Sequence, residues 1–274
     1  MITRRAKFSV VLAAATLAML PSVSAQAQSW TGFYAGINMG GAWSQSNVGN
    51  SVCSGATNCY FTSPFVPADA VTPGRVGAAA SGKLDDSAFT IGGQIGYNWQ
   101  MSNLVLGVEG DLNSMRMSSS RSASPTYLPG GTMGINLVDT VSADYMGTVR
   151  GRIGYATANL LMYFTGGFAF TNFKHSHSGV EYGFGAGCNL STNFCDVPFS
   201  SSLSTGWTVG GGAEWALDQH WSIKAEYLYA DFGSVKGQSD MNRYTIPGLF
   251  GTSEINHSAD FAVQTVRAGL NYRF

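Results

Sequence analysis

Residues 87–99 read Ser87-Ala88-Phe89-Thr90-Ile91-Gly92-Gly93-Gln94-Ile95-Gly96-Tyr97-Asn98-Trp99. Successive side chains of an extended chain point to opposite sides, so Phe89, Ile91, Gly93, Ile95, Tyr97 and Trp99 share one face and Thr90, Gly92, Gln94, Gly96 and Asn98 the other. The stretch predicts a strand with one apolar and one polar face. The same alternation recurs over 30–43, 104–115, 145–155, 160–170, 206–217, 221–232 and 264–274, which makes eight strands. The links at 100–103, 156–159 and 218–220 are a few residues, whereas 44–86, 116–143, 174–204 and 233–260 are long. Short turns at one end and long loops at the other predict an all-β fold, an eight-stranded antiparallel up-and-down transmembrane barrel with long extracellular loops. An even strand number returns both termini to the short-turn, periplasmic side.

The placement of charge decides between water and lipid outside. By parity, Leu104, Leu106, Val108, Val149, Ile153, Met162, Phe164, Phe168, Val209, Ala213, Ile223, Ala225, Val266, Ala268 and Leu270 point outward, and none is charged. Glu109, Asp111, Arg150, Arg152, Glu214, Lys224, Glu226 and Arg267 point inward. A water-soluble barrel shows the reverse pattern. Aromatics bracket the apolar faces, with Trp99, Tyr155, Trp215, Trp221 and Tyr272 at the turn side and Trp43, Phe89, Tyr145, Trp207 and Tyr229 at the loop side. These predict two interfacial girdles. Charged residues are 11% of the chain against roughly a quarter in soluble domains, so a soluble surface is hard to build. The net charge of −1 offers no footprint for nucleic acid.

Arg4, Arg5 and Lys7 precede the uncharged stretch 8–20, which is followed by Pro21 and Val23-Ser24-Ala25-Gln26-Ala27. Its length, about 13 residues, is short of the roughly 20 of a spanning helix, and the order of charged, apolar and small residues predicts a signal peptide over 1–27. Cleavage is expected after Ala25 or Ala27, leaving 28–274 as one barrel domain. Arg4-Arg5 alone is weak for the twin-arginine route, so the general secretory route is expected. In an exported chain the close pairs Cys53 with Cys59 and Cys188 with Cys195 predict two local disulfides, each contributing roughly 2 to 2.5 kcal/mol by chain entropy.

Several segments together carry a family resemblance: Trp30-Thr31-Gly32-Phe33-Tyr34-Ala35-Gly36, Gly96-Tyr97-Asn98-Trp99, Leu106-Gly107-Val108-Glu109-Gly110-Asp111, Gly147-Thr148-Val149-Arg150-Gly151-Arg152-Ile153-Gly154-Tyr155, Lys224-Ala225-Glu226-Tyr227-Leu228-Tyr229 and Val266-Arg267-Ala268-Gly269-Leu270-Asn271-Tyr272-Arg273-Phe274. The chain resembles the small porin-like outer-membrane β-barrel proteins, the surface-antigen group common in alphaproteobacteria. The resemblance covers the strands and none of the long loops. It implies residence in the cell outer membrane and insertion by the barrel assembly machinery, with Leu270, Tyr272 and Phe274 matching the C-terminal assembly signal. The family is described as structural surface proteins, in some cases adhesins, porins or haemin binders. The partners expected are outer-membrane lipid and lipopolysaccharide, the assembly machinery, and a host or surface ligand met through the loops.

Each candidate site competes with a plainer reading. The four acids and four bases of the lumen predict a neutralised network, with Glu109 and Asp111 paired to Arg150 and Arg152, Glu214 to Lys224, and Glu226 to Arg267. Glu214 and Glu226 as catalytic carboxylates are the alternative, and interleaved cations argue against it. His175 and His177, two apart with Glu181 nearby, are weak candidates for a metal or haem iron; simple solvation is the plainer expectation. Ser176 and Ser178 fall on the opposite face from those histidines, which disfavours a Ser–His nucleophile. Gly210-Gly211-Gly212 lies inside a strand without a following Lys-Ser/Thr and is no phosphate loop. The expectation is a structural or surface-interaction barrel, then a narrow porin, then a haem or metal binder, with no enzymatic activity and no cofactor.

Overall fold

The computed structural model describes residues 29–52, 72–126, 134–182, 195–196, 199–242 and 253–274. The expected signal peptide lies outside them, as do Cys53, Cys59, Cys188 and the side chain of Cys195. Eight long strands are formed: β1 (Gly32–Val52), β2 (Gly82–Met101), β3 (Leu104–Ala123), β4 (Gly134–Thr157), β5 (Leu160–Tyr182), β6 (Phe199–Ala216), β7 (Trp221–Asn242) and β8 (Ser253–Arg273). Each pairs antiparallel with its neighbour in sequence, and β1 also pairs with β8, from Tyr34↔Arg273 to Val52↔Ile255. The sheet is thereby closed and leaves no open edge in lipid. A two-residue bridge, Cys195–Asp196, pairs with Val180 of β5 and with Asn242 and Met241 of β7. Helix α1 (Thr72–Ala80) precedes β2.

The periplasmic turns are built by local side chains. Between β2 and β3, Ser102 adopts φ 58°, and its carbonyl accepts from Gln100 Nε2 at 2.7 Å. Between β6 and β7, Asp218 Oδ1 accepts from the backbone N–H groups of His220 and Trp221, both at 2.8 Å. These two donors hold the Asp218 carboxyl below the usual carboxylate range.

Within the membrane band the side chains face as their parity predicts. Phe89, Ile91, Ile95, Leu106, Val108, Val149, Ile153, Phe164, Phe168, Val209 and Val266 are exposed on the outer surface, while Thr90, Gln94 and Asn98 are buried inside. An arginine placed on that surface has no water to reach. Val149→Arg is expected to cost about 2–4 kcal/mol at mid-membrane, whereas Ser176→Arg, outward but above the band, stays within about 0.5 kcal/mol. Urea unfolding in lipid vesicles followed by heat-modifiable electrophoresis compares the two; equal losses contradict the assigned facing.

The strands are longer than the alternation suggested. They run 18 to 24 residues, where about 9–11 suffice to cross a bilayer. Much of what reads as loop in 44–86, 116–143, 174–204 and 233–260 therefore continues as strand, and 44–86 contributes α1 as well. The cause is a change of phase. Register shifts lie between Ser114 and Met117, Ser142 and Met146, Phe170 and Phe173, and Asp231 and Ser234, all just above the outer aromatic positions. Above them the polarity inverts: Arg116, Lys174, Lys236 and Asp260 are exposed, while Met117, Val141, Phe173 and Phe261 are buried inside. That is the pattern of a barrel standing in water.

Candidate functional site

The lumen is the candidate site, and it is filled in layers. At the periplasmic mouth, Trp30, Val105, Ala156, Leu161, Tyr163 and Ala216 form a buried apolar cluster. The Arg273 guanidinium lies 5.1 Å from the Trp30 ring centroid and donates to the carbonyls of Ser29 and Gln219 at 2.7 and 3.1 Å. Ser29 and Trp30 are thus held across the lower end by Arg273.

Above this cluster sit the eight charged residues read from the sequence, all buried. Arg150 contacts Glu109, Asp111 at 2.9 Å and Glu226 at 3.1 Å. Arg267 contacts Glu226 at 2.6 Å and Asp111 at 3.1 Å. Lys224 donates to both oxygens of Glu109 at 3.0 Å. Arg152 contacts Glu214 at 3.0 Å and lies 3.8 Å from Glu109.

One expected pairing is therefore corrected. Glu214 and Lys224 are direct register partners across the β6–β7 hairpin, yet Glu214 pairs with Arg152 and Lys224 reaches across to Glu109. Asp111 is met by Arg150, within the expected set, and by Arg267 in addition. In so narrow a barrel, long side chains span the lumen and choose partners on distant strands, where parity and hairpin adjacency give no information.

The sequence reading also missed the neutral members of this layer. The Tyr34 hydroxyl donates to Glu109 at 2.8 Å and accepts from Arg152 at 3.0 Å. Tyr163 donates to Glu226 at 2.9 Å, with the Arg152 guanidinium 4.0 Å from its ring centroid. Ser222 and Asn271 donate to Glu214 at 2.6 and 2.8 Å. Glycines make room for the phenols: a Cβ on Gly96 would collide with the Tyr34 ring, and one on Gly212 would lie 2.7 Å from the Tyr163 hydroxyl. Inward Tyr and Gly at matching heights on paired strands were the available signal.

Next comes an apolar layer. Phe173 stacks on Phe261 at 4.3 Å between centroids and 20° between planes, and Phe232 lies 5.6 Å from Phe261. Met115, Met117, Val141, Met146, Val235 and Val263 are buried with them.

The next layer holds the histidines, with Ile135, Leu137 and Ile255 buried above it. His175 and His177 are not solvated: they are 0% and 1% exposed, and both meet the same Asp139 oxygen, at 3.0 and 2.8 Å. Burial pushes the Asp139 carboxyl up, and the hydrogen bonds and charge of His175 and His177 outweigh it, holding the group below the usual carboxylate range. His257, on β8, lies with its ring 4.1 Å from that of His177. Its Nδ1 is 2.6 Å from Asn50 Oδ1 and its Nε2 is 2.6 Å from Ser239 Oγ. Asn50 Nδ2 donates to Asp139 Oδ2 at 3.0 Å and to the carbonyl of Ala80, at the end of α1, at 3.1 Å. Ser176 faces out, and the side chain of Glu181 lies outside the described residues. Neither Asp139 nor His257 was singled out from the sequence, because both lie beyond the bulges.

The description "Outer membrane protein beta-barrel domain" matches residues 11–274. The chain is 35% identical over 250 residues to the 31 kDa outer-membrane immunogenic protein of Brucella melitensis, covering 90% of this chain and 84% of that one. It is 30% identical over 153 residues to the 22 kDa outer membrane protein of Rhizobium leguminosarum bv. viciae, covering 55% and 56%. Among solved structures it aligns with the outer membrane protein OprG of Pseudomonas aeruginosa at TM-score 0.43 and 13% identity, covering 89% and 97%.

Proposed function

From the premise that this chain belongs to the outer-membrane β-barrel family, in its alphaproteobacterial surface-antigen group, we propose that it is a closed barrel serving envelope integrity and surface interaction. The observation carrying this reading is the layered lumen, in which Trp30, the charge network and the Phe173–Phe261 stack follow one another along the axis. An eight-stranded barrel has an interior just wide enough for side chains to fill, and here they fill it. A narrow porin needs a continuous polar path, which the apolar layer interrupts.

An enzymatic role is not part of the proposal. The oxygens of Glu214 and Glu226 are engaged by Arg152, Ser222 and Asn271 and by Arg150, Arg267 and Tyr163. The external contacts proposed are outer-membrane lipid and lipopolysaccharide around the apolar band, the assembly machinery through Leu270, Tyr272 and Phe274, and a host or surface ligand at the outer end. Local disulfides Cys53–Cys59 and Cys188–Cys195 belong to that end in the same proposal.

A deletion strain tests the reading. The expected phenotype is greater sensitivity to detergents and bulky hydrophobic antibiotics, with unchanged uptake of small hydrophilic solutes. Selective loss of solute uptake with an intact detergent barrier would overturn it.

A further inference from the structure

We infer that the upper lumen holds a binding site for a divalent transition-metal ion of the zinc class, formed by Asp139, His177 and His257. One ligand atom from each of these three residues lies within 4.8 Å of the other two, and all three residues are buried. They come from β4, β5 and β8, so the barrel wall itself brings them together, with Asp139 in register opposite His177.

The donor chemistry suits such an ion. Two imidazoles and a carboxylate form a set used for zinc, with a fourth position left to water or a further side chain. His175 lies 3.0 Å from the same Asp139 oxygen. Zinc-bound nitrogen and oxygen atoms sit about 2.0–2.2 Å from the metal, so closing on an ion draws the ligand atoms together by side-chain adjustment.

The surrounding contacts are those that hold metal ligands in place. Asn50 accepts at one His257 nitrogen through its carbonyl and donates to the outer Asp139 oxygen through its amide. It is thus a positioning residue for two of the three ligands. Ser239 meets the other His257 nitrogen, and its hydroxyl yields one ring nitrogen to an ion by rotating away. The histidines are 0 to 2% exposed, which suits a bare ion rather than a macrocycle.

The test uses the full mature barrel folded in micelles, with ZnCl2 as the probe. After micromolar ZnCl2 and gel filtration, elemental analysis is expected to find one zinc per chain. His177→Gln and His257→Gln lose it, His220→Gln in the exposed periplasmic turn keeps it, and Asn50→Ala binds about 10–100-fold more weakly. If the ligand variants do not fold, imidazole NMR of the wild type decides: zinc shifts the His177 and His257 resonances and leaves His220 in place. No retained zinc in wild type, retention unchanged in folded His177→Gln/His257→Gln, or shifts confined to His220 would each overturn the site.

Discussion

Replacing Arg150 with Met is expected to destabilise the folded barrel by about 3–5 kcal/mol. The guanidinium is fully buried and meets Glu109, Asp111 and Glu226, while its Nε donates to Thr148 at 2.9 Å. Of the eight lumen charges, the acids would then outnumber the bases, and the excess negative charge would sit between an apolar cluster below and an apolar layer above. Desolvation, which the intact network offsets by mutual pairing, is left uncompensated. Adding Glu226→Gln restores the count and is expected to recover part of the loss, because Arg150 and Glu226 are ion-pair partners of each other. Urea unfolding of both variants in micelles measures the coupling. A loss below about 1 kcal/mol for the single variant would show that water already reaches this layer.

Phe173→Ala is expected to cost about 3–5 kcal/mol, the range for deleting a fully buried aromatic side chain. Phe173 is 0% exposed and stacked on Phe261, in a layer that also contains Phe232 and Met115. The wall strands cannot close over the gap, since their spacing is fixed by hydrogen bonding around the ring. The cavity therefore persists, and the measured loss should stay near the upper part of the range. Substitution by Leu, which refills much of the volume, should return most of the stability. If Phe173→Ala falls within about 1 kcal/mol of wild type, the upper lumen is not a packed interior.

What the sequence showed and what it hid divide at the outer aromatic ring. Below it, the strict alternation of 87–99 and its repeats identified the strands, their facing and the inward charges, because lipid outside and a narrow lumen inside impose opposite demands on successive residues. Above it, water replaces lipid and the alternation changes sign, while register shifts such as that between Ser142 and Met146 change its phase. A pattern that inverts and slips together looks like loop. For that reason Met117, Phe173 and Phe261 were not recognised as interior, and Asp139 and His257 were not joined to His175 and His177. The partner exchange of Glu214 and Lys224 was hidden differently: adjacency in a hairpin is local, whereas Lys224 meets Glu109 across the lumen.

Conductance of the purified wild-type barrel in a planar bilayer tests most directly whether the lumen is closed along its length. The layered interior predicts a quiet membrane, with at most rare, brief events, and intermittent openings that become more frequent in Arg150→Met and Phe173→Ala. Large, stable single-channel steps from the wild-type protein would contradict the account and establish a continuous aqueous path through the barrel.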